Sequence, residues 1–373
     1  WPAVAKALWD RGLVAPCEFI PTVDDVPALN GAFGVPKADA FLPSGEEILR
    51  LIIDLRCTNW MMEQIEADTA SLTGAATFQR IVVEEGKELL ISGEDLTSAF
   101  YLFRLPKVWI NYLLLEKPVR KSLVGLDGSG HCYLGLTVLP MGWHSSVGLM
   151  QAAHRRLALS SPLNGGAGLH QLAEITRLSE FPEQNEHAGW SMYLDDTTIV
   201  EQVAAHGVES LKDKPQPEQE KLKRAYEWWG IPTNSKKQLV RESRAERLGA
   251  VLDGKQGILR GSTKRCLEVM SLGAYIREHV EVDRKVLQIY SGKMVHLFQF
   301  RRCLFAGMEV IFTAIAQGPR KCLVTKELVD ETLMLEGLLP VAMSNLKAAV
   351  DPVVTASDAS ETGGGLCFAS RLT

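Results

Sequence analysis

The apolar pattern of this chain changes character at Gly257. Before it, short apolar runs with interleaved charges alternate with helical stretches. After it, apolar positions recur at helical spacing over 263–279, 282–315 and 325–347. Runs of the first kind need sheet neighbours, and runs of the second bury one stripe of a helix. A chain that carries both, segregated along its length, is held to an α+β architecture: a mixed unit followed by a helical appendage.

Residues 1–45 are rich in Pro and Gly and read as a loosely structured lead-in ending at Pro43-Ser44-Gly45. The run Ile48 to Arg56 predicts a strand, and 88–95 predicts another that enters a helical start at Leu96-Thr97-Ser98-Ala99-Phe100. The stretch 124–138 reads as a hairpin turning at Asp127-Gly128-Ser129-Gly130, closed off by Pro140 and Gly142. Ser145 or Ser146 is the expected N-cap of a helix to Leu159, with Leu149, Ala152, Ala153 and Leu157 on one face. Residues 190–201 predict two strands joined at Asp195-Asp196. The segment 212–218, with Pro215 and Pro217, is a linker into a helix that runs to Trp229 and stops at Gly230. Near the end, 353–357 reads as a strand followed by a turn at Gly363-Gly364-Gly365.

Composition excludes several classes. With 46% hydrophobic and 23% charged residues over 373 positions, the chain has the make-up of a soluble globular protein. No apolar run approaches the ~18 residues of a membrane span, so no membrane partner is expected. The net charge of −5 gives no global basic field, so a nucleic-acid partner would need basic charge concentrated in one cleft. The 7 cysteines are odd in number, scattered and without a CxxC pair, which argues against bridges or zinc and for a reducing, intracellular setting, cytoplasmic or nuclear. Trp1 in place of Met, with no basic-plus-apolar leader after it, marks an expected segment of a longer polyprotein.

Two acidic positions stand where chemistry is expected. Asp95 ends the apolar run Leu89-Leu90-Ile91, and Asp195 and Asp196 sit at the tip of the 190–201 hairpin. An aspartate in a turn is common for reasons of backbone bonding alone. Carboxylates from two neighbouring strand ends, however, can hold two Mg²⁺ ions about 3.5–4 Å apart, the arrangement used for in-line displacement at phosphorus.

At these residues a resemblance becomes specific. Tyr193-Leu194-Asp195-Asp196 resembles the YxDD signature of reverse transcriptases, and Asp95 with Ala99 and Phe100 resembles their first catalytic motif. Leu139-Pro140-Met141-Gly142-Trp143 with Ser146 is similar to their LPxGW turn. Arg50 to Arg56 with Asn59 resembles the fingers strand, and Phe33-Gly34-Val35-Pro36-Lys37 the basic strand before it. Trp229-Gly230-Ile231-Pro232 with Lys236-Lys237 is similar to the segment after the hairpin, and Leu248-Gly249 to the primer grip. These motifs stand in the family's order across residues 33–255. Ser98, where many relatives carry an acid, and a long 107–122 stretch depart from the pattern.

The resemblance implies a right-hand polymerase: fingers and palm over 46–255 and a helical thumb or connection over 256–350. It implies an RNA-directed DNA polymerase that uses two Mg²⁺ ions, or Mn²⁺, with an RNA or DNA template, a primer and dNTPs. Asp95 and Asp195 would bind both metals and Asp196 would help to orient them. Lys237 would protonate the departing pyrophosphate, with Lys236 its competitor. Lys37, Arg50, Phe100 and Gly142 would contact the dNTP, although Arg50 and Arg56 equally suit the polar face of a half-buried strand. Thr355-Ala356-Ser357-Asp358 followed by glycines resembles the first strand of a fused RNase H domain, here incomplete over 351–373. Asp358 would be its metal ligand there, or a solvated turn residue in this chain. The order of these parts resembles LTR and DIRS-type retrotransposons. A domesticated, catalytically silent nucleic-acid-binding protein and an RNA-dependent RNA polymerase are the alternatives, and Leu194 and Phe100 disfavour the latter.

Overall fold

The computed structural model describes every residue except 18, 42–43, 160–168, 170–171, 176–187, 318, 350–352, 361–362 and 371–373, and the side chains of 37–40, 173, 354 and 359–360. The chain divides into two compact units. The first comprises Trp1–Thr77, Ile91–Glu201 and Leu211–Glu242; the second comprises Phe78–Leu90, Gln202–Ser210 and Ser243–Thr373.

The first unit carries a five-stranded sheet in the order Ala173–Glu174, Ala188–Tyr193, Asp196–Ala204 (in this unit up to Glu201), Lys87–Asp95 (in this unit from Ile91), Leu239–Glu242. Residues 89–95 of the fourth strand are buried without interruption, which is why that run shows no polar alternation. Trp190, Met192 and Ile199 of the hairpin join Trp143, Met150 and Tyr226 in one core. Each fully buried side chain of this size contributes about 1.5–3 kcal/mol or more.

The lead-in is more ordered than its composition suggests. Pro2–Asp10 is a helix with Pro2 in its first turn, where a missing N–H costs nothing, and it buries Ala5. Val14–Pro16 pairs antiparallel with Leu134–Leu136, and Gly31–Phe41 pairs with Glu47–Asp54. The 124–138 hairpin is also redrawn. Lys121–Val124 is a 3-10 turn closed by the short pair Val119–Arg120 with His131–Cys132, and Leu134–Leu136 leaves to bond the N-terminal strand.

Ile110, packed against this same strand, leaves no room for a side chain at Gly135. A Cβ there would lie 2.2 Å from the Ile110 carbonyl oxygen and 2.6 Å from Ile110 Cγ2. Because the obstacle is backbone, Gly135→Ala is expected to lower stability by about 1–3 kcal/mol. Gly74, with nothing within 4 Å of its would-be Cβ, is the control. Urea unfolding of both variants checks this: equal midpoints would contradict it.

The second unit carries a four-stranded antiparallel sheet, Arg244–Arg247, Ala250–Asp253, Ile258–Gly261 and Met343–Asn345, and most of the helices. The expected 282–315 helix is two, Arg284–Phe298 and Glu309–Gln317, separated by a 3-10 turn at Arg302–Gly307. A straight helix would set residues 298 and 311 about 20 Å apart, yet Phe298, Met308 and Ile311 belong to one core. The first-turn N–H groups of Val310 and Ile311, which have no partner within the helix, donate to the Glu331 carboxylate, each at 2.8 Å. The expected 325–347 helix ends at Gly337, beyond which Met343–Asn345 becomes a strand. Gly363-Gly364-Gly365 is likewise the start of a strand, Gly363–Ala369, paired with Val354–Ser360. No helix among the described residues is long and apolar enough to cross a membrane. All seven cysteines are free.

Candidate active site

Asp95 is the last residue of its strand, and the next backbone N–H, that of Leu96, donates to the Asp195 carbonyl at 3.0 Å. This single bond ties the strand end to the turn of the Ala188–Tyr193 and Asp196–Ala204 hairpin. The hairpin pairs Tyr193 with Asp196, leaving Leu194 and Asp195 as a two-residue loop. Leu194 holds φ 54°, a left-handed conformation that costs a non-glycine residue about 1–2 kcal/mol.

A cation reaches the site from the third segment. The Asp95 carbonyl accepts from Asn234 N–H at 2.8 Å, and the Asn234 carbonyl accepts from Lys237 N–H at 3.0 Å. The turn so formed aims the Lys237 ammonium at Asp95 Oδ2, 2.8 Å away. Asp95's side chain is 4% exposed and that of Lys237 61%, so the pair reaches from the buried sheet to solvent. Lys237 is raised above its ordinary pKa by the bond to Asp95, and further by the charges of Asp196 and Asp195. Asp195 is also raised, chiefly by burial and then by the charge of Asp95. Two carboxylates set side by side, one of them held back from ionising by burial and by its neighbour's charge, are a donor set suited to a hard divalent cation. Among the described residues, no group of three His, Cys, Asp or Glu side chains is placed to close a metal site, and Lys237 supplies the counter-charge to Asp95.

The other expected residues fall around this centre unevenly. Gly142 takes φ 99°, closed to most side chains, and a Cβ there would lie 3.4 Å from the Ile53 carbonyl. Its own carbonyl accepts from Asn59 Nδ2 at 3.0 Å, while Asn59 Oδ1 accepts from His144 N–H at 3.0 Å. Asn59 thereby clamps the 142–144 turn from both sides. Phe100 stands on a 3-10 turn, Ala99–Leu102, that follows a left-handed Ser98, and is partly buried against the core. Arg50 is exposed, and its charge reaches the Tyr101 hydroxyl. Arg56 is spent on Asp54 in a two-pronged bond. The side chain of Lys37 lies outside the described residues. Asp358 is exposed on the Val354–Ser360 strand, opposite Gly365. Arg155 is bonded to Glu174, and Arg320 and Lys321 to Asp283 and Glu281.

Sequence reasoning missed the polar groups behind the acids. The helix Ser146–Leu159 buries Met150, Gln151, His154 and Ala158 and leaves the expected face of Leu149, Ala152, Ala153 and Leu157 only half-buried. Gln151 Oε1 accepts from Leu194 N–H at 2.9 Å, and its Nε2 donates to the Met192 carbonyl at 3.1 Å. Burial pushes His154 down to about 4, so it is neutral at physiological pH. Glu94, buried beside Asp95, accepts from Gln219 and Gln238, each at 2.8 Å. The one available signal was a glutamine and a histidine at i and i+3, a spacing shared by countless exposed helices.

No family model matches the chain, and no curated protein matches it by sequence. Solved structures do match over almost its whole length. The foamy viral protease-reverse transcriptase in complex with RNA/DNA hybrid superposes with a TM-score of 0.61 at 16% identity, covering 98% of this chain and 40% of that one. The dRH form of that protein in complex with double-stranded DNA gives 0.59 at 17% identity, covering 97% and 51%. A third, in complex with dsDNA, gives 0.58 at 16%, covering 98% and 62%. The chain therefore spans between 40% and 62% of the length of these proteins. At such identities the likeness is one of architecture: this chain has a mixed helix-and-sheet fold of the reverse-transcriptase kind.

Proposed function

We propose that the chain is an RNA-directed DNA polymerase of a retrotransposon-like element, adding dNTPs to a primer 3′-hydroxyl by two-metal nucleotidyl transfer. The observation that carries the reading is the junction of Asp95, Asp195 and Lys237, drawn from three separate segments and tied by the Leu96-to-Asp195 and Lys237-to-Asp95 bonds. On this reading 46–255 forms fingers and palm, 256–350 a helical thumb or connection, 351–373 the start of an RNase H-like domain with Asp358, and 1–45 the lead-in. The fold likeness to proteins solved with DNA and RNA/DNA hybrid supports a primer–template as partner.

Asp95 and Asp195, with Asp196, would hold Mg²⁺ or Mn²⁺, which when bound would neutralise the α-phosphate and favour ionisation of the 3′-hydroxyl. Lys237 keeps its proton at Nζ at neutral pH, because Asp95 raises it, and can deliver that proton to the departing pyrophosphate. Arg50 offers a planar fork of donors to the triphosphate, and Lys37 a second cation. Gly142 keeps the backbone open beside the nucleotide, and Phe100 lies against its sugar. Asn59 and Gln151 hold the two turns that present these groups.

A catalytically silent nucleic-acid-binding protein is the second reading. In its favour, Lys237 holds the Asp95 oxygen Oδ2 at 2.8 Å, an atom a metal would need. Primer extension on poly(rA)/oligo(dT) with Mg²⁺ or Mn²⁺ separates the two. Divalent-dependent incorporation of dTTP is expected; folded protein that binds the duplex but makes no product would establish the second reading.

A further inference from the structure

The Ser146–Leu159 helix turns a histidine into the core of the first unit, where such a residue is costly unless both ring nitrogens are used. Both are. His154 Nδ1 meets the Leu194 carbonyl, and Nε2 lies 2.6 Å from the Tyr226 hydroxyl. The Tyr226 oxygen is in turn 3.3 Å from Thr197 Oγ1. His154 and Thr197 are 0% exposed and Tyr226 1%.

The direction of these bonds follows from chemistry. A carbonyl oxygen only accepts, so Nδ1 carries the hydrogen. Nε2 is then a lone pair, and Tyr226 must donate to it. Its hydroxyl hydrogen being spent, the Tyr226 oxygen accepts from Thr197. The donors thus run one way: Thr197 to Tyr226 to His154 to Leu194. The relay begins and ends on the residues that bracket Asp195 and Asp196, and it closes behind the hairpin loop. Because Gln151 Oε1 takes the Leu194 N–H, both main-chain polar groups of the strained loop residue are held by side chains of one helix.

We propose that His154, acting through Tyr226 and Thr197, is a positioning residue that locks the 194–197 turn in the geometry setting Asp195 beside Asp95. The inference rests on the polymerase reading of that hairpin. An apolar side chain at 154 would fill the space but leave the Leu194 carbonyl without its donor and the Tyr226 hydroxyl without its acceptor. The loop would then relax from φ 54°, displacing Asp195.

The test compares His154→Leu, His154→Asn and Tyr226→Phe in the full chain by steady-state dTTP incorporation and by hydrogen exchange of the 188–204 peptide. His154→Leu is expected to lower kcat about 10²-fold with KM for dTTP within about twofold, and to lose hairpin protection. Asparagine places an N–H near the Nδ1 position, so His154→Asn should recover about tenfold in kcat and part of the protection. Tyr226→Phe, a mild change should the leucine variant not fold, is expected to weaken protection of the same peptide. Unchanged protection in His154→Leu or Tyr226→Phe, or an asparagine variant no better than leucine on either readout, overturns the proposal. If the wild-type chain makes no product, the polymerase reading fails, and the exchange comparison still decides whether His154 holds the turn.

Discussion

Asp95→Asn or Asp195→Asn is expected to reduce primer extension by about 10³-fold or more while leaving primer–template affinity within about threefold. Asparagine keeps the shape of the side chain and removes the charge that a hard divalent cation requires. Neither change removes a basic side chain, so the charge available to the duplex phosphates is untouched. Folding should survive both changes, for different reasons. Lys237, the partner of Asp95, is 61% exposed, so losing its carboxylate returns it to water at little cost. Asp195 is raised by burial and by Asp95; its ionised form is therefore a burden to the fold at neutral pH. Removing that charge should leave thermal stability equal or slightly higher, the mark of a site whose strain serves function. Primer extension, filter binding and a thermal melt on the same preparations check all three parts. Near-normal extension by either variant would refute the assignment of the acids.

The second large effect concerns choice of sugar. Phe100 follows Asp95 by five residues, on the 3-10 turn Ala99–Leu102, partly buried against the core. From there its ring can lie against the ribose of a nucleotide whose phosphates sit at the acids. A 2′-hydroxyl would have to overlap the ring or be buried without a partner, costing a few kcal/mol. A deoxyribose leaves that space empty. Phe100→Val should therefore raise UTP relative to dTTP incorporation by roughly two to three orders of magnitude. Single-nucleotide insertion with both substrates on one template measures it. An unchanged preference in a variant that still inserts dTTP would remove Phe100 from the sugar site and revive the RNA polymerase alternative.

Much of the site was legible because it depends on short-range pattern. Strand 87–95 and the 188–204 hairpin were readable from apolar runs that stop at acids, and Gly142 from the turn it opens. The resemblance that links them draws on the order of such pieces. The buried face of the 146–159 helix was not legible, since periodicity favours Leu149, Ala152, Ala153 and Leu157 while tertiary structure buries Gln151 and His154. Those two are stable inside because Leu194, about 40 residues on in the chain, presents an N–H and a carbonyl to them, and Met192 and Tyr226 take their other polar atoms. In the same way, nothing near Lys237 in the chain announces Asp95, 142 positions away.

The elements misread from sequence share that cause. The 282–315 run has helical spacing throughout, and it breaks because Phe298 and Ile311 must reach one core. The three glycines at 363–365 look like a turn and become a strand because Val354–Ser360 lies alongside to pair with them. By itself, then, the sequence determined which segments are apolar strands or helices and where the acids stand at their ends, since period and capping are properties of a dozen residues. Only the tertiary structure decided which polar groups could be buried, because a buried donor is tolerable only beside an acceptor, and that acceptor comes from elsewhere in the chain.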